Sequence, residues 1–111
     1  MAIIRNIPAR KIINGFVIDT SDVAIISELD YITNGESCIV IKGVPRCTVV
    51  LNSTTTDHIV IKAMTSVLIV PDHGLIDAEY DEVELQQFSS LEFRFIGGNW
   101  YILSSDGIKQ S

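Results

Sequence analysis

Short apolar runs, broken at regular intervals, dominate the pattern of this chain. They fall at 15–18, 23–26, 38–42, 47–51, 58–62, 66–70, 83–87, 91–96 and 100–103. Each is too short for an ordinary helix and rich in β-branched or aromatic residues, so each predicts a strand. The breaks carry turn chemistry: Asn34-Gly35, then 43–46, 52–57, 71–74 and 97–99 supply glycine, proline, asparagine, aspartate or serine. Residues 15–111 therefore read as a single all-β domain, preceded by a segment, 1–14, that is either an N-terminal arm or the first strand.

Two kinds of strand are distinguishable. Where Glu92 and Arg94 alternate with Leu91, Phe93 and Phe95, and Glu84 and Gln86 with Val83, Leu85 and Gln87, one face is wet. CIVI, TVVL and SVLIV do not alternate, which implies cover on both faces. A chain this small without helices has little material for such cover, so a neighbouring subunit is expected to supply it; the alternative is a monomeric β-sandwich whose two sheets cover one another. The expected fold is a compact β-sandwich or a short β-helix-like domain, assembled as a homotrimer. Its shared core draws on Ile39, Ile41, Val49, Leu51, Ile59, Ile61, Leu68 and Val70. CIVIKG at 38–43, HIVIKA at 58–63 and SVLIVPD at 66–72 resemble one another loosely, as rungs of a β-helix or strands of a sandwich would.

Composition sharpens this picture. Ile, Val and Thr make up almost a third of the 111 residues, favouring β structure. A content of 47% hydrophobic residues argues against wholesale disorder, and no window of 18 apolar residues offers a membrane-spanning helix. Arg5, Arg10 and Lys11 interrupt the one candidate for a secretory signal, so the expectation is a soluble product made in the cytoplasm without export, with no membrane partner. The net charge of −6, with its densest cluster at Asp77, Glu79, Asp81, Glu82 and Glu84, disfavours nucleic acid. That cluster reads as a solvated, outward-facing end. By contrast, the first 18 residues carry three bases and no acid.

Candidate chemistry is sparse. Cys38 and Cys47 match no compact metal spacing and read as small core residues. Asp57-His58 and Asp72-His73, with Asp77, raise the idea of a metal or acid–base site, but turn chemistry explains them better. The acidic cluster lacks the spacing and central glycine of a calcium loop. Gly97 and Gly98 lack the lysine of a phosphate loop, and the serines lack a nucleophile-elbow motif. The expectation is a non-enzymatic protein with no cofactor or metal.

The segment Phe93-Arg94-Phe95-Ile96-Gly97-Gly98-Asn99-Trp100-Tyr101-Ile102-Leu103-Ser104-Ser105-Asp106-Gly107 reads as a β-hairpin. Its glycine-asparagine turn, Trp-Tyr pair and Ser-Asp-Gly ending resemble the termini of small virion modules of tailed bacteriophages, including fibre and capsid-decorating proteins. The resemblance rests on Gly98, Asn99, Trp100, Tyr101, Ser105, Asp106 and Gly107. It implies a trimeric, all-β virion component without enzymatic activity. The absence of long glycine-rich repeats and the Met1 start favour a stand-alone decorating protein on the capsid surface, one that cements the major capsid protein. Its expected shell-binding arm carries Ile3, Ile4, Arg5, Arg10, Lys11, Ile12 and Ile13, apolar anchors beside bases able to pair with shell carboxylates. One alternative is a tail-fibre or baseplate module that uses 53–56 or 71–74 to touch a receptor. Another is a small carbohydrate-binding β-sandwich stacking sugars on exposed Trp100 and Tyr101.

Overall fold

The computed structural model describes residues 10–13, 16–19 and 23–106. Eleven strands run through them: β1 (Arg10–Ile13), β2 (Phe16–Asp19), β3 (Val23–Ile26), β4 (Asp30–Ile32), β5 (Cys38–Ile41), β6 (Arg46–Leu51), β7 (His58–Ala63), β8 (Ser66–Pro71), β9 (Val83–Leu85), β10 (Ser90–Ile96) and β11 (Asn99–Asp106). No helix occurs among the described residues, and none is long and apolar enough to cross a membrane. The all-β expectation is met, with two large mixed sheets.

From β3 to β8 the chain alternates between the two sheets. β3, β5 and β7 lie side by side and parallel in a five-stranded sheet ordered β11-β10-β7-β5-β3. β4, β6 and β8 do the same in a four-stranded sheet ordered β4-β6-β8-β9. The chain thus winds through three coils, β5 starting 15 residues after β3 and β7 starting 20 residues after β5. After β8 the pairing becomes antiparallel: β9 closes the four-stranded sheet against β8, and the β10–β11 hairpin closes the other against β7. β1 and β2 form a two-stranded sheet of their own.

The corners follow from their residues. Gly35 and Gly43 turn with φ of +86° and +78°, a region costly for a residue with a β-carbon. At the corner after β6, Asn52 accepts the Thr54 amide on its side chain at 3.0 Å and the Thr56 amide on its carbonyl at 2.9 Å. Adjacent coils are tied at the same side: the Thr33 hydroxyl accepts the Asn52 amide at 2.8 Å, and Asp72 accepts the Ser53 amide at 2.9 Å.

The core lies between the sheets. Ile39, Ile41, Val49, Leu51, Ile59 and Ile61 are fully buried within the single chain, joined there by Val67, Ile69, Ile76, Leu85, Phe93 and Trp100. Six of the eight residues expected in a subunit-shared core therefore need no second subunit to bury them. Coiling explains this, because each strand is flanked by its neighbours in the stack and faced by the opposite sheet. On the outer face, Cys38, Val40 and Val60 are buried as well, in keeping with the unbroken apolar run of β5. Leu68 and Val70, the other two residues expected in that shared core, are half-buried on the outer side of β8 in the single chain, while Val67 and Ile69 point into the core. An unalternating run such as SVLIV does not reveal its phase, and pairing with β6 and β9 decides it.

Candidate functional site

The C-terminal hairpin forms as its sequence implies. Ile96 pairs with Asn99, leaving Gly97 and Gly98 as a two-residue turn with φ of +58° and +94°. Two positive φ values in succession are the signature of the tight turn whose twist matches antiparallel strands. Phe95 pairs with Trp100 across the hairpin, their rings 5.2 Å apart at 54°. Phe93 and Trp100 are fully buried, Phe95 and Tyr101 half-buried. Trp100 is therefore a core residue, which corrects the expectation that it is exposed for sugar stacking. Leu103 lies at a bulge between the Glu92–Ser104 and Phe93–Ile102 pairs, and it is exposed.

Asp72, at the end of β8, gathers several donors. Its Oδ2 accepts the Ser53 amide and hydroxyl, each at 2.9 Å, and lies 3.0 Å from His73 Nδ1. Trp100 Nε1 donates to its Oδ1 at 3.4 Å. Partial burial pushes the Asp72 carboxyl up, but the bonds from Ser53, His73 and Trp100 outweigh it, and the net result lies below the usual carboxylate range. Serine, histidine and aspartate meet here, but not as a relay. Ser53 Oγ donates to the carboxylate itself, and His73 Nδ1 faces both the same carboxylate oxygen and, at 3.3 Å, Ser53 Oγ. A relay needs histidine between the other two, with a different ring nitrogen for each. The cluster pins two coil corners and the indole together.

A second polar cluster lies on the outer face of the five-stranded sheet. His58 Nε2 stands 2.5 Å from Glu92 Oε2, and Ser104 Oγ donates to Glu92 Oε1 at 2.6 Å. Partial burial pushes the Glu92 carboxyl up, yet the Ser104 and His58 bonds and the nearby charges hold it below its ordinary range. In the first coil the Tyr31 hydroxyl donates to the Glu36 carboxylate. Burial, this bond and the charges of Glu36 and Glu28 push the phenol up to about 12.

The two Asp-His steps thus fall in separate clusters, and among the described residues no three His, Cys, Asp or Glu side chains converge as metal ligands. Cys38 and Cys47 are free, buried thiols. Asp77, Glu79, Asp81, Glu82 and Glu84 are all exposed, as expected for a solvated face. Within it Asp77 works structurally: its amide donates to the Trp100 carbonyl at 2.7 Å, and its Oδ1 accepts the Ile102 amide at 2.9 Å. The expected arm is divided. Arg10, Lys11, Ile12 and Ile13 form β1, paired with β2, while Ile3, Ile4 and Arg5 lie outside the described residues.

In the first coil the pattern of runs marks β3, at 23–26, but not β4. The coil's exposed apolar residues, Ile25, Leu29 and Ile32, are 47%, 51% and 60% exposed. β4 escapes notice because it is three residues long and starts with an aspartate. It is held by β6, through the Thr48 amide to the Leu29 carbonyl at 2.8 Å and the Thr33 amide to the Val50 carbonyl at 3.0 Å. No protein-family model matches this chain, and neither a curated protein nor a solved structure is similar to it.

Proposed function

We propose that the chain is a non-enzymatic virion module that decorates a phage head shell as a homotrimer, cementing neighbouring copies of the major capsid protein. The observation that carries this reading is how the polar and apolar groups are used. The carboxylates of Asp72 and Glu92 hold corners and strands together, while large apolar side chains are left exposed, Ile25, Leu29 and Ile32 on the first coil and Tyr80, Phe88, Ile96 and Leu103 beyond it. Such a body is suited to adhesion more than to turnover. The resemblance carried by Gly98, Asn99, Trp100 and Tyr101 supplies the virion context.

Cementing is a matter of adding contacts that must break together. A trimer seated where shell subunits meet links several of them, so that rupture at one contact is opposed by the others. The basic, apolar N-terminal segment, with Ile3, Ile4 and Arg5, is assigned to the shell. The test is light-scattering mass on the purified protein, followed by mixing with undecorated head shells. A stable mass three times 12.3 kDa with saturable shell binding supports the reading; a monomer that ignores shells overturns it.

A further inference from the structure

The two ends of the coil stack are finished differently. At one end, β9 and the β10–β11 hairpin close the sheets, and the loop after β8 runs along the edge of β11: the Trp100 amide donates to Leu75 at 2.9 Å, and Asp77 takes the next bonds. At the other end, β3 and β4 each have a ladder on one side only among the described residues, to β5 and β6. These consecutive strands leave the open edge of a whole coil, a template for strand addition. Ile25, Leu29 and Ile32 stand exposed along that coil. Its charged residues from 23 to 37 are all acids: Glu28, Asp30 and Glu36.

The same chain carries an element of complementary character. The β1–β2 hairpin shares no ladder with either large sheet among the described residues, and a lone two-stranded sheet is marginal in water. β1 reads Arg10-Lys11-Ile12-Ile13, two bases followed by two β-branched apolar residues. Among the described residues the coil edge thus has a ladder on one side only and its charges are acids, while the hairpin is paired with neither large sheet and begins with bases.

We propose that the β1–β2 hairpin of one copy adds to the open first-coil edge of a second copy, with Arg10 and Lys11 meeting the acids Glu28 and Asp30. Hairpin and edge are different patches, so the contact is head-to-tail, and a head-to-tail contact that closes makes a ring, the form a homotrimer takes. The assignment rests on the self-association proposed above, independently of what the assembly binds. It takes Arg10, Lys11, Ile12 and Ile13 from the shell and leaves Ile3, Ile4 and Arg5 for it.

The test is made on the full chain by light scattering, with circular dichroism and melting temperature as checks on folding. Ile25→Lys with Ile32→Lys puts charges on an edge whose side chains are already exposed. The expected result is a threefold fall in mass, to 12.3 kDa, without loss of β signal. Arg10→Glu with Lys11→Glu is expected to dissociate the assembly as well, and adding Glu28→Lys and Asp30→Lys to that chain to restore it. Unchanged mass in the edge variant, or failure of the charge exchange to restore the oligomer, overturns the assignment. If the edge variant stays trimeric and still binds shells, the edge is wrong and the cement reading stands. A wild-type chain that is monomeric at every concentration overturns both.

Discussion

Gly74 passes so close to Gly98 that a β-carbon on Gly74 would sit 1.9 Å from the Gly98 carbonyl oxygen. The approach is fixed by Asn99, whose side-chain oxygen accepts the Leu75 amide at 2.8 Å and would itself lie 2.7 Å from that β-carbon. Gly74 also has a φ of +67°. The loop after β8 is thereby clamped to the turn of the terminal hairpin.

Gly74→Ala is therefore expected to cost roughly 3 kcal/mol, because the backbone oxygen cannot move aside without breaking the turn and the left-handed conformation adds its own penalty. Gly97→Asn is the contrasting variant. Its φ is +58°, a region asparagine tolerates, and a β-carbon there meets open space. Chemical denaturation of both checks this: a loss below about 1 kcal/mol at Gly74 would mean that the clamp is not maintained in solution.

Acid should loosen both this region, through Asp72, and the outer face of the five-stranded sheet, through Glu92. Asp72 and Glu92 both ionise below their ordinary range when folded, so the folded state binds fewer protons than the unfolded one. Their contribution is fully present above the unfolded carboxylate values and is lost as pH falls through the folded ones. Asp72→Asn is expected to lower stability at neutral pH by about 1–2 kcal/mol, through weakened bonds from Ser53 and Trp100. That deficit should shrink as melting is followed from about pH 6 down to about pH 2. A deficit constant with pH would show that the charge of Asp72 contributes nothing.

Both thiols should be silent in the folded chain. Burial pushes the Cys38 thiol up to about 12. For Cys47, burial with the charges of Asp30 and Glu28 raises it to about 11. Since the thiolate is the reactive species, a disulfide reagent at about pH 8 finds neither accessible nor ionised sulfur. Labelling is expected to proceed at the unfolding rate, with both sulfurs reacting at once in denaturant. A burst of one equivalent under native conditions would place one of them at the surface.

How far the sequence foretells this molecule differs by element. The strands of β5, β6, β7, β8 and β10 were legible because turn residues flank them and their β-branched content is high. The Gly97-Gly98 turn was legible because that residue pair has few other uses in a hairpin. β4 was not, since its existence depends on a parallel partner about twenty residues away, and no local propensity marks it. Trp100 was misjudged for a related reason. Its burial depends on the opposite sheet and on Asp72, a residue 28 positions earlier in the chain. The open edge of the first coil is a property of strand order, to which hydrophobic pattern is blind.

The phase of β8 gives the sharpest check on the coil arrangement. Ile69 is fully buried between the sheets, paired with Val49 on one side and Val83 on the other. Val70 is the next residue and points the opposite way, in a row with Val50 and Ile32 on the outer face. Ile69→Ala should open a cavity and cost about 2–5 kcal/mol. Val70→Ala removes fewer and half-exposed atoms and should cost less than about 1 kcal/mol. Denaturation at low protein concentration measures both without help from assembly. Reversed magnitudes would mean that β8 is paired one residue out of step, which would turn every core side chain of that strand to solvent. Equal and large losses would mean instead that the outer row is also covered in the isolated chain.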